Sequence, residues 1–284
     1  MKFSKFHTLG NDFLIVDQDE VAEFSDFAGL ARAMCERHTG VGADGILLIS
    51  VKHAPQGEVS FRIFNADGSE AEISGNGLRC AGAYLFAQGR IDGDTAVFLT
   101  GTGSRSCRLI ERNGSRFTIR IEMGRPRLSA SAIPFDDGRP HDRIVDYPLM
   151  INRKVYPVTI VSMGNPHCDI FVDQMPSRIE WQEIGREIEI HPFFPNRTNV
   201  EFIKLVGRGE IEVVFWERGV GETLSSGSGS CAAAVAAMLK GYVDRQVKVK
   251  TALGSLLVDW ASDGEPVFQT GPAEFAFVGS YLLK

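Results

Sequence analysis

The chain contains an internal repeat, and this repeat constrains its fold more than any other feature. The segment that begins at Phe61 matches the segment that begins at Val213 without a gap, at an offset of 152 residues (226 − 74). Under this offset Ser74 falls on Ser226, and the glycines that follow also coincide. A register that continues through a strand, a glycine loop and a helix argues against chance similarity among glycine turns. The sequence therefore predicts two halves built on one plan.

Each half is expected to contain a unit made of a strand, a glycine loop and a helix. Residues 61–65 and 213–217 are rich in aromatic and β-branched residues, as strands are. Helices are predicted over 75–88 and 227–240, with Ser74 and Ser226 as N-caps and Gly89 and Gly241 just past the ends. The second helix has so many small apolar residues that it must be packed on all sides. Other strands are predicted at 13–17, 46–51, 96–100, 117–122, 155–161, 200–206 and 247–251.

These elements predict an α+β fold with more strand than helix. A turn-rich stretch with prolines at 133–148 is the expected crossover between the halves. The 284 residues, 44% of them hydrophobic, are enough for a sizeable core and favour two domains over one.

Charge and cysteine content exclude several classes of partner. The net charge of −6 is spread without a basic run, so neither a nucleic acid nor a membrane is an expected partner, and a small polar ligand suits the chain better. No segment is typical of a secretion signal or a membrane span, which predicts a cytoplasmic protein. The five cysteines lack CxxC and CxxH spacing, so they are expected to be reduced, mostly buried thiols, not a disulfide framework or a zinc site.

The two serine-capped helix starts indicate an anion site. If both point into one interdomain cleft, they supply backbone N–H donors and two positive dipole ends, which favour a carboxylate ligand. The same environment lowers the pKa of an acid at the N-cap, and a cysteine there becomes a usable base. Serine is also a common N-cap, so ordinary capping is the alternative interpretation for Ser74 or Ser226 alone. Their equivalent positions in the repeat favour a shared site.

Six motifs then occur in order: HTLGNDFLIVD, RHTGVGADGI, FRIFNADGSEAEISGNGLRC, VSMGNPHC, NRTNVEFI and FWERGVGETLSSGSGSC. Together, over nearly the whole chain, they resemble the diaminopimelate epimerases. The resemblance implies two pseudo-symmetric domains, each a mixed β-sheet or barrel wrapped round a central helix. We assign these domains to residues 1–130, completed by a strand at 270–284, and to residues 131–269. The resemblance also implies inversion of an amino-acid α-carbon, LL- to meso-diaminopimelate, without pyridoxal phosphate, any other cofactor or a metal.

Carried over by motif, the resemblance also implies roles for individual residues. The family uses two cysteines as bases, and these positions are Ser74 and Ser226 here, with His167 near one of them. The distal carboxylate of the substrate would be bound by Asn65, Asn165, Asn199 and Arg218, and the distal ammonium by Glu217. The reacting ammonium and carboxylate would be held by Asn11 and by the backbone around Gly75, Asn76, Gly227 and Ser228. Turn asparagines and a solvated Glu217–Arg218 pair are the alternative interpretation.

The serine pair leaves several hypotheses open. A helix dipole worth up to about 2 kcal/mol cannot bring a serine hydroxyl to a useful alkoxide fraction, so direct two-base chemistry should be slowed. Cys80 and Cys231 do not occupy the caps and are expected to pack in the core. The chain is then an epimerase whose serines work with an auxiliary base such as His167 or whose activity is slow but sufficient, a related isomerase or dehydratase, a silent binder, or a variant engineered at the two serines. The residues predicted to bind the distal carboxylate and the distal ammonium are retained, which favours diaminopimelate as the substrate. A homodimer is the commonest expectation for such an enzyme.

Overall fold

The computed structural model describes residues 1–22, 24–51, 58–71, 73–101 and 103–282. In chain order the strands are β1 Lys2–Thr8, β2 Asn11–Asp17, β3 Gly45–Val51, β4 Glu58–Asn65, β5 Glu70–Ala71, β6 Thr95–Thr100, β7 Gly103–Asn113, β8 Arg116–Gly124, β9 Ile144–Ile151, β10 Lys154–Ser162, β11 Pro166–Val172, β12 Asn199–Gly207, β13 Glu210–Glu217, β14 Gly221–Thr223, β15 Gln246–Thr251, β16 Gly254–Asp259 and β17 Val267–Ser280. The helices are α1 Phe27–Cys35, α2 Gly75–Ala87, α3 Arg178–Glu189 and α4 Gly227–Leu239. The α+β fold with more strand than helix is confirmed.

The chain divides into two compact units, Met1–Glu122 with Thr270–Lys284, and Met123–Gln269. In the first unit eight strands form a closed hydrogen-bonded ring, in the order β17, β1, β2, β3, β4, β6, β7, β8 and back to β17. The pairs β2–β3 and β4–β6 are parallel, so the sheet is mixed. Helix α2 packs against β1, β2, β3 and β7 and is buried along most of its length. A mixed barrel therefore surrounds a central helix, as expected.

The second unit repeats this pairing scheme. Its strands pair in the order β9, β10, β11, β12, β13, β15 and β16, and the pairs β11–β12 and β13–β15 are the parallel ones. Strands β4 and β13 have eight residues each and helices α2 and α4 have thirteen each, all displaced by 152 residues (210 − 58 and 227 − 75). Helix α4 contacts six of these strands, which confirms that it is packed on all sides. The duplication read from the sequence is thus a duplication of structure.

Both helix boundaries of the repeat are formed as predicted. The side chains of Ser74 and Ser226 accept hydrogen bonds from the backbone N–H groups of Gly77 and Gly229, three residues into α2 and α4. Both helices end one residue earlier than predicted. Gly89 and Gly241 follow with φ of 61° and 68°, a left-handed conformation that favours glycine.

Two helices were not predicted from the sequence. Helix α3 has Ser177 as its N-cap, which forms a capping box with Glu180, so the Ser-x-x-Glu signal was present. Helix α1 follows Asp26, whose side chain accepts from the N–H of Gly29. Neither helix lies in the segments 61–92 and 213–244, where the repeat continues without a gap. The repeat therefore gave no indication of them.

The predicted crossover at 133–148 is wrong in its second part, because residues 144–148 form the start of β9. Prolines suggested a turn there, but Pro148 lies directly opposite Pro157 of β10. Proline has no N–H to give to a ladder, but the pairing of β9 with β10 continues on both sides of it, with Leu149 opposite Tyr156 and Tyr147 opposite Val158. The stretch also lies inside the second unit and not at its boundary.

The cysteines behave as expected. Cys35, Cys80, Cys107, Cys168 and Cys231 are all buried, and none of the five forms a disulfide. Cys80 and Cys231 face the core from within α2 and α4, away from the caps. Burial raises the pKa of Cys80 to about 12, so this thiol is inert as a base. Among the described residues, no helix combines the length and the apolar character that crossing a membrane requires.

Candidate active site

In the second unit a carboxyl group from the end of β13 lies beside the serine that caps α4. Ser226 is buried, and its hydroxyl accepts from the N–H of Gly229 at 3.2 Å. Glu217 ends β13, and its Oε1 accepts a hydrogen bond from Thr223 at 2.5 Å. Burial raises the pKa of Glu217, while hydrogen bonds from Thr223 and Ser226 and the nearby ring of His167 partly oppose this. A carboxyl group with a raised pKa next to a hydroxyl is a potential general base.

A chain of hydrogen bonds leads from this helix start into the core of the second unit. The Nδ2 of Asn165 lies 3.5 Å from Oγ of Ser228 in the first turn of α4, and its Oδ1 lies 3.0 Å from Nε2 of His167. The other ring nitrogen of His167, Nδ1, lies 2.8 Å from Oε1 of Glu201. Burial lowers the pKa of His167 to about 3, so its imidazole is neutral near pH 7.

The residues of the second unit that were predicted to bind the distal carboxylate of the substrate are also close together. Asn199 is buried; its Oδ1 accepts from the N–H of Arg218 at 2.9 Å, and its Nδ2 donates to the carbonyl of Pro166 at 2.8 Å. The guanidinium of Arg218 is exposed and donates to the carbonyl of Asn196 at 2.9 Å. A pocket of about 310 Å³ within this unit is lined by Arg218, Asn165 and eight further residues. A fork-shaped cation on the wall of a small polar pocket suits a carboxylate ligand.

In the first unit the start of α2 has a different set of partners. Ser74 is half-buried, and the amide of Asn76 donates to Oδ1 of Asn11 at 3.0 Å. The amide of Asn11 donates in turn to Asp44 at 2.8 Å. The guanidinium of Arg79, which is fully buried, donates to Asn76 from below. The helix start of the first unit therefore has a buried cation beneath it where the second unit has a histidine and a carboxyl group.

The structure groups most of the predicted residues and leaves one aside. In the second unit it brings together Asn165, His167, Asn199, Glu217, Arg218, Ser226 and Ser228, with Gly227 as the first residue of α4. In the first unit it joins Asn11 and Asn76 next to Ser74, with Gly75 as the first residue of α2. Asn65 is exposed at the end of β4, where its amide donates to Ser69 at 2.9 Å. No hydrogen bond among those of the described residues joins Asn65 to the other members.

The sequence reasoning did not single out Glu201, Arg79 or Asp44, although each supports a predicted residue. All three occur in the quoted motifs, as the glutamate of NRTNVEFI, the arginine of GNGLRC and the aspartate of GVGADGI. Arg127, which lines the pocket beside Arg218, was not singled out either. A charged residue inside an otherwise apolar strand or helix was the available signal for Glu201 and Arg79.

Gly229 is sensitive to substitution because Glu201 lies against it. A Cβ at this position would come within 2.6 Å of Oε1 of Glu201 and 2.9 Å of a ring carbon of Phe215, whereas a Cβ at the equivalent Gly77 would come no closer than 3.2 Å to any side chain. We expect Gly229→Ala to lower the free energy of unfolding by about 1–3 kcal/mol, and Gly77→Ala to cost less. Urea unfolding measures both.

Gly207→Ala is the control for this prediction, since a Cβ there meets nothing within 4 Å. An unchanged stability of Gly229→Ala would contradict the close approach of Glu201 to α4.

Comparison with known proteins gives one consistent result. The family model described as diaminopimelate epimerase matches residues 3–129 and 159–276. A diaminopimelate epimerase of Pelotomaculum thermopropionicum is 46% identical over 285 aligned positions, and one of Moorella thermoacetica is 42% identical over 284; both matches cover 100% of each chain. Among solved structures, a predicted epimerase from Pseudomonas aeruginosa has a TM-score of 0.67 at 17% identity, covering 100% of this chain and 99% of that one. A probable proline racemase from Agrobacterium radiobacter has 0.69 at 14%, covering 100% and 93%. At these identities the two solved structures establish a shared fold.

Proposed function

The chain belongs to the diaminopimelate epimerase family, and we propose that it is an isomerase that binds diaminopimelate and interconverts its LL and meso forms by exchanging an α-proton. The observation that carries this proposal is the duplicated helix start. Two helices of equal length, displaced by the offset of the repeat, each begin at a serine whose side chain caps the third N–H. An inversion at carbon needs one proton acceptor and one proton donor, and the two helix starts offer two equivalent groups.

The residues of the second unit fit the ends of the substrate. Arg218 offers a planar guanidinium that can bind the distal carboxylate through two parallel hydrogen bonds, and Asn165 lines the same pocket. Asn199 fixes the backbone at Arg218. Glu217 supplies the carboxyl group for an ammonium, and the first N–H groups of α4, at Gly227 and Ser228, suit a carboxylate. We propose that Asn11, Gly75 and Asn76 at the start of α2 hold the reacting ammonium and carboxylate of the substrate. Asn65 is proposed as a further contact of the distal carboxylate.

Glu217 also addresses the weakness of serine as a base. A hydroxyl cannot lose its proton to water near neutral pH at a useful level, but a neighbouring carboxylate can accept the hydroxyl proton as the serine oxygen takes the α-proton of the substrate. The carboxyl group of Glu217 is close enough to Ser226 for the hydroxyl to affect its pKa. Transfer of the α-proton toward this pair would leave the negative charge of the carbanion next to the dipole of α4. The neutral ring of His167 is hydrogen-bonded to Asn165, and Asn165 contacts Ser228 in the first turn of α4, so His167 is connected to the same helix start.

The finer features of this function are proposals with their own support. We propose reaction without pyridoxal phosphate because the side chains at the two helix starts are the proton-transfer groups of the proposal, and proton transfer by such groups needs no Schiff base. A cytoplasmic address is consistent with five free cysteines. A homodimer follows only from the frequency of twofold dimers among enzymes.

The test is proton NMR of the protein with LL-diaminopimelate in D₂O. Loss of the α-proton signal and appearance of the meso form, above a control without protein, would support the proposed reaction. Binding detected by calorimetry without exchange would support the second candidate, a protein that binds the substrate without turnover. That candidate is favoured by one observation, the hydroxyl groups at both caps. Exchange with another amino acid but not with diaminopimelate would contradict both and indicate a related isomerase.

Removal of the guanidinium of Arg218 should abolish binding. Two charge-assisted hydrogen bonds to one carboxylate contribute about 3 kcal/mol or more, so Arg218→Ala should weaken binding of meso-diaminopimelate by about 100-fold or more. Calorimetry measures the affinity. Arg143→Ala is the matched control, because Arg143 is an exposed arginine of the same unit that pairs with Asp263. Unchanged affinity of Arg218→Ala would remove this residue from the site.

A further inference from the structure

A cluster of polar side chains lies in the core of the second unit beneath α4. Thr159, Asp169 and Glu201 are neighbours across the strands β10, β11 and β12, in direct register. All three are buried, as is His167 two residues before Asp169 on β11. Among the described residues, Oγ1 of Thr159, both carboxyl oxygens of Asp169 and Oε2 of Glu201 have no hydrogen-bond partner. Such groups are costly to bury and call for an explanation.

The first unit shows that the barrel does not need polar groups at the positions of His167, Asp169 and Glu201 in order to fold. In its parallel pair β2–β3, Phe13 pairs with Gly45 and Ile15 with Leu47, as His167 pairs with Asn199 and Asp169 with Glu201 in β11–β12. Leu47 lies against Gly77 of α2 as Glu201 lies against Gly229 of α4. The duplicated positions are therefore apolar in one unit and polar in the other. Phe13, Ile15 and Leu47 are buried in the first unit, so the same barrel forms with apolar side chains at these positions, and we attribute the polar groups of the second unit to the site.

The direction of the hydrogen bonds in this cluster follows from charge. An ionised Glu201 would be a fully buried anion with one oxygen unpartnered and, among the described residues, no ion-pair partner other than the ring of His167, which is the costly arrangement. A protonated Glu201 instead donates from Oε1 to Nδ1 of His167, and its remaining oxygen is only a neutral carbonyl. The imidazole is then neutral with its proton on Nε2, and this N–H donates to Oδ1 of Asn165.

We infer that Glu201 is a positioning residue of the proposed active site: as a carboxylic acid it donates to Nδ1 of His167, so that Nε2–H of the ring holds the amide of Asn165 with its N–H groups directed at the start of α4. Asn165 lines the pocket with Arg218, so a fixed amide orientation presents donors to a carboxylate. Burial supports the same protonation states, because it raises the pKa of Glu201 well above its ordinary value and lowers that of His167. The expected effect of Glu201 on ligand binding rests on the proposed function, whereas the position of the proton on the His167 ring does not.

The first arm of the test is ¹⁵N NMR of the protein labelled at histidine, without ligand. The signals of His167 are identified by their absence from His167→Gln. A neutral ring with the proton on Nε2 is expected in the unmodified protein and in Glu201→Gln, whose amide can also donate to Nδ1. In Glu201→Leu the Nδ1 signal should move to the position of a nitrogen without a hydrogen-bond donor. A proton on Nδ1, or a doubly protonated ring, would overturn the inference.

The second arm is calorimetry with meso-diaminopimelate. Glu201→Leu should bind about tenfold more weakly, and Glu201→Gln should stay within about twofold of the unmodified protein. Asp169→Asn is the matched control, since it alters the same buried cluster without a hydrogen bond to His167, and it should leave affinity and tautomer unchanged. Equal affinity of the Leu and Gln variants would overturn the positioning role. If the unmodified protein does not bind, the proposed function fails and the NMR arm alone decides. If Glu201→Leu does not fold, the ring tautomer in the unmodified and Gln proteins still decides.

Discussion

Replacing both Ser74 and Ser226 by cysteine should raise the rate of α-proton exchange from diaminopimelate by about 10²–10⁴-fold, the usual contribution of a well-placed acid–base group. Each residue caps a thirteen-residue helix, with its side-chain oxygen accepting from the third N–H. A thiol in such a position has a lowered pKa, because the helix N-terminus stabilises the thiolate. Serine gains nothing comparable, since its hydroxyl remains far from ionisation. Loss of the α-proton signal in D₂O, with a reductant present, measures the gain.

Three variants separate this effect from a general effect of new thiols. Ser177→Cys places a thiol at the N-cap of α3, a helix start outside the candidate site, and should leave exchange at the level of the unmodified chain. The single changes Ser74→Cys and Ser226→Cys should each give less than the double change if both positions serve the reaction. A double variant that binds diaminopimelate and shows no gain would contradict the assignment of these two positions as bases.

Asp169→Asn should change how stability depends on pH. Burial and the nearby Glu201 raise the pKa of Asp169 well above its ordinary value, so the folded state keeps this proton when the unfolded state has lost it. For a raised carboxyl pKa the stabilising contribution is complete below the unfolded pKa of about 3.9 and is lost as pH rises toward the folded pKa. Relative to Asp169→Asn, the unmodified chain should lose about 1.4 kcal/mol of unfolding free energy per pH unit above about pH 5.

The unmodified chain has to be compared with Asp169→Asn because His167 changes the free energy of unfolding in the opposite direction as pH changes. Its folded pKa of about 3 lies below the unfolded value, so its contribution to stability is lost as pH falls below about 6.5. This contribution cancels when the unmodified chain and Asp169→Asn are compared by urea unfolding at each pH. Asp142→Asn, at an exposed position of the same unit, is the control and should leave the pH dependence unchanged. Parallel pH profiles for the unmodified chain and Asp169→Asn would show that Asp169 is ionised in the folded state.

Together these expectations describe two units that share a fold and differ in chemistry. Within α2 the first unit has the guanidinium of Arg79 bonded to Asn76, and beneath α4 the second unit has the ring of His167 and the carboxyl group of Glu201. A duplicated scaffold permits this divergence because each helix packs against its own set of strands. One unit can then change the groups beneath its helix start while the other keeps an apolar packing at the equivalent strand positions.

The sequence by itself determined the repeat, the α+β class, the two capped helices and most of the residues that gather at their starts. These features are readable because caps, glycine stops and strand patterns are local, and because a repeat compares the chain with itself. The sequence could not show which buried groups support the site, because burial and hydrogen-bond partners depend on strand register between distant segments. Only the tertiary structure placed Glu201 beside His167, 34 positions away in the chain, through the parallel pairing of β11 with β12. It also decided that Pro148 lies in a strand, since the residues on both sides of it pair with β10. The protonation states of the buried acids follow from this packing, because the free energy of a charge depends on the water and the partners that the fold removes or supplies.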